Sequence, residues 1–233
     1  MATLVEHNLK LTYKDGNSGN RDEIVKTIFL DEIDRSTFIN EMPMIVDNLV
    51  NGTAEDDVLL GENSLSNSLN GEAGDDLLIG FDNLDFLSGE EGNDFIIAGG
   101  GSDRLLGGSG RDFLFGGDGN DNLRGDSGKD VLLGNEGSDF LRGDNGKDLL
   151  VGGVGSDVFI LQPGQGTDII ADFEDGIDFL GLSILEPDFS EIQVTARGED
   201  TAIGDGNRVF ALLKDVDANT ISSEDFVRVE IAL

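Results

Sequence analysis

The sequence predicts an all-β fold: a parallel β-roll, which is a two-sheet right-handed β-helix solenoid, with a small N-terminal segment and a C-terminal β-rich cap. Three observations in residues 52–160 lead to this prediction. An aspartate and a buried-type hydrophobic residue recur every nine positions, glycines gather early in each nine-residue row, and a short apolar triplet ends the row. A fixed short period of this kind indicates a solenoid whose repeats stack on their neighbours.

The rows begin at Gly52 and end at Ile160, and only the row 61–70 has ten residues. The first six residues of a row predict a tight turn, because glycine tolerates positive φ. The last three are rich in Leu, Ile, Val and Phe and predict a short strand. The eighth residue then points inward and its neighbours outward. Two rows close one coil, so that alternate rows stack at roughly 4.8 Å.

An aspartate occupies the sixth position of every regular row, whereas Ser66 holds this position in the irregular row. Because alternate rows stack, the aspartates are predicted to form two columns. One column contains Asp57, Asp76, Asp94, Asp112, Asp130 and Asp148, and the other contains Asp85, Asp103, Asp121, Asp139 and Asp157.

Stacked carboxylates require a counter-charge. Two of them roughly 5 Å apart repel by about 0.8 kcal/mol even at the dielectric constant of water. Carboxylates and turn carbonyls form an all-oxygen ligand set, which suits Ca²⁺ better than the strictly octahedral Mg²⁺. Softer metals lack ligands, since the chain has no cysteine and its single histidine, His7, precedes the rows. The gaps along the columns predict about nine to eleven calcium ions.

The rows resemble the nonapeptide G-G-x-G-x-D-x-U-x of the repeats-in-toxin (RTX) family, which forms a calcium-binding β-roll. The resemblance covers residues 52–160 and continues through residues 164–182, which are similar to the closing segment of such domains. Asp168 is expected to complete the first column above Asp148. The turn glycines expected at the metal sites are Gly92, Gly101, Gly108, Gly110, Gly117, Gly119, Gly128, Gly137, Gly146, Gly153 and Gly155. Further calcium candidates are Asp172, Asp175 and Asp178.

The sequence departs from the family pattern in two rows. The row 61–70 lacks its aspartate and its glycine turn, and Asn83 stands where glycine is usual. Calcium sites next to Ser66 and Asn83 are therefore the least supported by the pattern.

Composition narrows the partners and the location. The formal net charge is −33, from 48 acidic against 15 basic residues. Nucleic acids and anionic membranes attract basic surfaces, so neither is an expected partner. The absence of cysteine excludes disulfides, and no stretch has the length of a transmembrane helix. The start, MATLVEHNLKLTYK, does not predict a signal peptide. Residues 204–233 resemble the tail of family members exported by type I secretion, which implies a secreted, extracellular protein.

Three regions are expected: an N-terminal segment (1–50), the calcium-binding RTX β-roll (51–160) and a C-terminal capping and secretion-signal region (161–233). In the first region, alternation from Leu9 to Tyr13 predicts a strand, residues 14–20 a turn, and Asp22–Ile33 a helix. In the last region, alternating apolar residues between Ile192 and Leu213 predict a few antiparallel strands, and residues 215–226 predict a turn before a short helix.

The residues predict a non-catalytic protein. Only one histidine is present, and the acidic residues that acid–base catalysis would need are assigned to the metal columns. The family resemblance implies that the repeats fold when they bind calcium outside the cell. Two alternatives stay open: a calcium-dependent auxiliary module of a secreted polysaccharide-acting enzyme or protease, and an adhesin.

One sheet is predicted to carry an apolar outer face. The outward positions of the first-column rows are Val58, Leu60, Leu77, Ile79, Phe95, Ile97, Phe113, Phe115, Val131, Leu133, Leu149 and Val151. Monomeric proteins seldom leave such a strip in water. We expect it to be covered by the N-terminal segment, by the C-terminal strands or by self-association with a second copy. An extracellular glycan is the other partner left open.

Overall fold

The computed structural model of the chain describes residues 4–5, 8–13, 24–29, 45–46, 49–162, 166–183 and 191–229. The chain divides into two units, Met1–Pro43 and Met44–Leu233. Among the described residues, no helix has the length and apolarity needed to cross a membrane.

The first unit contains an antiparallel sheet of three strands in its described residues: β1 (Leu4–Val5), β2 (Asn8–Tyr13) and β3 (Ile24–Phe29). The strand predicted from Leu9 is confirmed, and the turn predicted at residues 14–20 lies outside the described residues. The helix predicted for Asp22–Ile33 is wrong, because β3 pairs along its whole length with β2. Five of its six residues are β-branched or aromatic, which favours a strand once a partner strand is available.

The second unit is a solenoid whose coils each contribute one strand to two sheets. The first sheet contains the parallel strands β4 (Ile45–Val46), β6 (Val58–Leu60), β8 (Leu77–Asp82), β10 (Phe95–Gly100), β12 (Phe113–Asp118), β14 (Val131–Glu136), β17 (Leu149–Val154) and β19 (Asp168–Ile170). The second contains β5 (Leu49–Asn51), β7 (Ser68–Asn70), β9 (Phe86–Glu91), β11 (Arg104–Gly110), β13 (Asn122–Gly128), β15 (Phe140–Arg142), β18 (Val158–Leu161), β20 (Phe179–Ser183) and β24 (Phe226–Val229), with β16 (Asn145–Gly146) beside β13.

Strand register follows the predicted stacking of alternate rows. Phe95 lies opposite Phe113 in the first sheet, and Arg104 lies opposite Asn122 in the second. The inward residue of each row is fully or almost fully buried, which confirms the predicted core. These residues are Leu59, Leu69, Leu78, Leu87, Ile96, Leu105, Leu114, Leu123, Leu132, Leu141, Leu150 and Phe159. The parallel two-sheet solenoid predicted from the repeats is therefore confirmed.

The solenoid extends beyond the rows at both ends. At its start, β4 and β5 precede Gly52 and pair with β6 and β7. At its end, β21 (Gln193–Arg197), β22 (Asp200–Gly204) and β23 (Val209–Leu213) form an antiparallel meander, and β23 pairs in parallel with β19. These strands confirm the prediction for residues 192–213. A 3₁₀ turn at Ser223–Asp225, capped by Ser222, confirms the predicted short helical element.

The apolar outer face of the first sheet is partly shielded. Leu60, Ile79 and Ile97 are buried, and the other nine outward residues are half-buried. Phe95 contributes to this shielding, since its ring lies 5.9 Å from that of Phe113 and 5.2 Å from that of Phe115. The predicted cover of this face by the N-terminal segment, the C-terminal strands or a second copy of the chain stays a prediction.

Candidate metal centre

The turn aspartates form two hydrogen-bonded columns, as the repeats predict. In each case the Oδ1 atom accepts a hydrogen bond from the backbone N–H of the column residue one coil earlier. In the first column the bonds run through Asp57, Asp76, Asp94, Asp112, Asp130, Asp148 and Asp168, with N···O distances of 2.7–3.2 Å. The carboxylates are thus fixed at one coil's spacing by the backbone itself.

The second column begins with an asparagine. Its members are Asn67, Asp85, Asp103, Asp121, Asp139, Asp157 and Asp178, joined by bonds of 2.6–3.0 Å. The prediction that Ser66 occupies this position is wrong: Ser66 is exposed, whereas Asn67 is buried and donates its N–H to Asp85. Leu69 must face the core, so the extra residue of this row is accommodated in the turn before Asn67.

The second carboxylate oxygen of the interior aspartates has no hydrogen-bond partner. The ten affected Oδ2 atoms are buried and belong to Asp76, Asp85, Asp94, Asp103, Asp112, Asp121, Asp130, Asp139, Asp148 and Asp157. Leaving a buried charged oxygen unpaired costs several kcal/mol at most sites, and ordinary proteins have few such groups. Ten equivalent cases in two regular columns indicate that an electropositive ligand belongs there.

Backbone carbonyls come close to several of these oxygens at the turn glycines. A Cβ built on Gly107 would lie 2.6 Å from the Oδ2 of Asp112 and 2.8 Å from the carbonyl oxygen of Gly125. A Cβ on Gly110 would overlap the carbonyl oxygen of Gly92 in the coil before it. Side chains are therefore excluded from the space where carboxylate and carbonyl oxygens converge.

The turn backbone has the left-handed conformation that the glycines allow. Among the predicted glycines, Gly92, Gly101, Gly108, Gly110, Gly117, Gly119, Gly137, Gly153 and Gly155 have φ between 102° and 149°. Gly128 and Gly146 are outside that region but lie just as closely over a carbonyl of the preceding coil. Asn83 has φ of 77°, so this departure from the family pattern preserves the turn, because asparagine tolerates the left-handed region better than most residues.

Burial raises the pKa of the column carboxyl groups. The pKa rises to about 8 for Asp112 and to about 7 for Asp76, Asp130 and Asp168, with burial as the main cause and neighbouring aspartates adding to it. It rises to about 6 for Asp85, Asp94, Asp103, Asp121, Asp139 and Asp157, again chiefly through burial. The backbone N–H bonds oppose the shift without cancelling it. Without a cation, the ionised columns are therefore costly.

The donor set fits a hard cation. In the part of the chain that the structure describes, no three His, Cys, Asp or Glu side chains converge on a point that could hold a metal ion. A metal at these turns would accordingly take one or two carboxylates and complete its shell with carbonyl oxygens. That all-oxygen set is the one Ca²⁺ prefers.

The aspartates after the repeats have different positions. Asp168 completes the first column, as predicted, and its carboxyl group contacts that of Asp148. Asp178 completes the second column, but its Oδ2 accepts a hydrogen bond of 2.9 Å from the N–H of Glu174. Asp172 accepts bonds from the N–H groups of Gly152 and Gly153, and Asp175 is exposed.

Sequence reasoning missed Asn67 and Thr53. The signal for Asn67 was present: counted backwards from the inward Leu69, it stands at the aspartate position of its row. Thr53 lies in the first turn, where its N–H and hydroxyl both donate to the Oδ2 of Asp57. The replacement of a turn glycine by a residue with a hydroxyl donor was the available signal.

Comparison with known proteins identifies the repeats. The family model described as the RTX calcium-binding nonapeptide repeat (4 copies) matches residues 63–96, 97–132 and 124–159. No curated protein matches the chain.

Two solved structures are similar to parts of this chain. One is the extracellular lipase LipA from Serratia marcescens, with 18% identity and a TM-score of 0.31 over 73% of this chain and 40% of the lipase. The other is the AlgE6R3 subunit of the mannuronan C5-epimerase from Azotobacter vinelandii, with 23% identity and a TM-score of 0.27 over 61% of this chain and 78% of that subunit. The chain thus spans less than half the length of the lipase.

Proposed function

Because residues 63–159 consist of RTX calcium-binding nonapeptide repeats, we propose that the two aspartate columns each bind a row of calcium ions and that this binding drives the solenoid to fold. The observation that supports the proposal is the set of ten buried Oδ2 atoms without partners. At several turns a backbone carbonyl approaches the same point as the Oδ2 atom, as the carbonyl of Gly125 does beside Asp112. One divalent cation per turn would supply the missing partner. Metal that binds only the folded state stabilises that state.

We propose about ten calcium ions per chain, one for each Oδ2 without a partner. This agrees with the nine to eleven expected from the gaps along the columns. The ligands are the interior aspartates from Asp76 to Asp157 together with carbonyl oxygens of the glycine turns, and Asp168 supplies a carboxylate next to Asp148.

We further propose that the chain is an exported, non-catalytic protein or module. An acidic sequence whose fold depends on calcium would stay unfolded where calcium is scarce and would fold outside the cell. The absence of cysteine is consistent with calcium replacing disulfides as the extracellular stabiliser. The resemblance of residues 204–233 to type I secretion tails supports the route, and export of the chain from cells with and without those residues tests it.

Direct binding measurements test the calcium proposal. We expect isothermal titration or equilibrium dialysis to show about ten ions bound per chain, with individual dissociation constants of roughly 10⁻⁴–10⁻³ M, typical of extracellular calcium modules. The same measurement with magnesium is the control, and it should give little binding, because Mg²⁺ retains its water and demands octahedral geometry. A chain that binds no calcium, or binds magnesium equally well, would contradict the proposal.

A further inference from the structure

The first coil of the repeats, Gly52–Asn70, differs from the interior coils in its turns. The Oδ2 atoms without partners begin at Asp76 in the first column and at Asp85 in the second. The column residues one coil earlier are Asp57 and Asn67. The Oδ2 atom of Asp57 and both polar side-chain atoms of Asn67 have hydrogen-bond partners within the protein.

In the first column, Thr53 donates hydrogen bonds to the carboxylate of Asp57. The Oδ2 atom of Asp57 accepts a hydrogen bond of 2.6 Å from the Thr53 N–H and another of 2.9 Å from the Thr53 hydroxyl. At the matching turn position, the interior rows of this column have Glu72, Glu90, Gly108, Asp126 and Asp144, none of which has an alcohol hydroxyl to donate. Two donors thus satisfy the Oδ2 atom of Asp57, whereas the equivalent Oδ2 atoms of the following coils have no partner.

In the second column, the side-chain amide of Asn67 lies among oxygen atoms. Its Nδ2 is 2.8 Å from Oδ1 of Asp85, 3.0 Å from the carbonyl oxygens of Leu65 and Gly80, and 3.3 Å from that of Glu62. The two amide hydrogens are shared among these four acceptors. The Oδ1 of Asn67 accepts the N–H of Glu62 at 2.7 Å, which fixes the orientation of the amide.

The backbone of this turn also differs from that of interior turns. Leu65 donates its N–H to the carbonyl oxygen of Glu62 at 3.1 Å, which closes a β-turn, and none of residues 62–66 has positive φ. Interior turns instead have left-handed residues such as Gly108 and Gly110. With the additional residue, the carbonyl groups of Glu62 and Leu65 in this turn both point towards the Nδ2 atom of Asn67.

We propose that the first coil is a metal-free cap, in which the donors of Thr53 and the amide of Asn67 stand in the place of calcium. The calcium sites then begin with Asp76 and Asp85, and the turns of the first repeat coil are held by hydrogen bonds that do not depend on calcium. This inference rests on the proposed function, since it states which turns of the same columns bind no ion.

A matched pair of substitutions tests the cap. Asp57→Asn and Asp112→Asn make the same change at equivalent positions of one column, the first in the proposed cap and the second in an interior turn. Bound calcium per chain is measured by equilibrium dialysis at saturating calcium. We expect Asp57→Asn to retain the wild-type number of ions and Asp112→Asn to lose at least one. Equal losses in the two variants would overturn the inference.

The same experiment separates this inference from the proposed function. If the wild type binds no calcium, or if Asp112→Asn loses none, the aspartate columns are not calcium sites and the proposed function fails. If Asp112→Asn loses ions and Asp57→Asn loses as many, only the cap fails.

Asn67→Ala gives a second measurement on the other column. Removing the amide leaves buried oxygens without donors, and we expect the Tm of the calcium-saturated protein to fall by about 3–8 °C. The number of bound ions should stay at the wild-type value. A lost ion, or an unchanged Tm, would overturn the inference for this turn.

Discussion

Removal of calcium by a chelator at about pH 7.5 is expected to abolish most of the β-sheet circular dichroism of the protein, and added calcium is expected to restore it cooperatively. With dissociation constants of roughly 10⁻³ M and about 10 mM free calcium, each site contributes about 1.4 kcal/mol, or about 14 kcal/mol for ten sites. This equals the whole folding free energy of a typical domain, which is about 5–15 kcal/mol. If the columns bind calcium as proposed, the metal therefore decides whether the solenoid folds.

Magnesium at the same concentration is the control for this experiment, since it screens charge equally but fits the turns poorly. We expect magnesium to leave the chelated protein unfolded. An unchanged spectrum and an unchanged melting temperature after chelation would show that the columns need no cation.

Acid is expected to replace calcium in part. The folded-state pKa values of the columns, from about 6 for Asp121 to about 8 for Asp112, lie above the ordinary value of 3.8. Between pH 3.8 and about pH 8, the folded chain binds more protons than the unfolded chain. The stability of the metal-free fold therefore falls as the pH rises through this range. The stabilisation is complete below pH 3.8 and is lost as the pH passes through about 6 to 8.

Melting of the chelated protein at about pH 5 and about pH 8 checks this sign. We expect more β-structure and a higher Tm at the lower pH. In saturating calcium the order should reverse, because protons compete with calcium for the same carboxylates. A metal-free protein that is equally stable or more stable at pH 8 would contradict the buried, unpaired state of these carboxyl groups.

The repeat period was sufficient to predict the stacking of the coils. In a strand, alternate residues face opposite sides, so one hydrophobic residue per row fixes which residue enters the core. From this, the pairing of Phe95 with Phe113 and the two aspartate columns follow without further information. The closure of the first column by Asp168 was predicted from family resemblance, because the glycines before it imitate another turn.

The irregular row shows where counting fails. Counting from Gly61 places Ser66 in the column, whereas the structure places Asn67 there. A shift of one residue in strand Ser68–Asn70 would move Leu69 from the core to the outer face of the sheet. The additional residue of the row is therefore accommodated in the turn. In such repeats the register is set by the hydrophobic strand, and a row with an insertion should be counted from its end.

The segment Ile24–Phe29 shows a different limit. Apolar residues four positions apart fit one face of a helix, but they are equally compatible with a short strand. The choice depends on a partner, and β2 provides one by pairing from Asn8 to Tyr13. Such non-local pairing cannot be read from the local pattern. For Thr53 and Asn67 the sequence did mark the two positions, but the oxygen atoms to which they donate depend on the geometry of the turns around them.

Locating calcium ions in a crystal structure of the protein is the most direct test of the claim that calcium binds along the two aspartate columns. We expect anomalous difference maps from crystals grown in calcium to show two rows of peaks along the turns, each peak about 2.3–2.6 Å from an Oδ2 atom between Asp76 and Asp157 and from turn carbonyl oxygens. An intact solenoid with no anomalous peaks at those oxygens would contradict the claim that calcium holds the aspartate columns together.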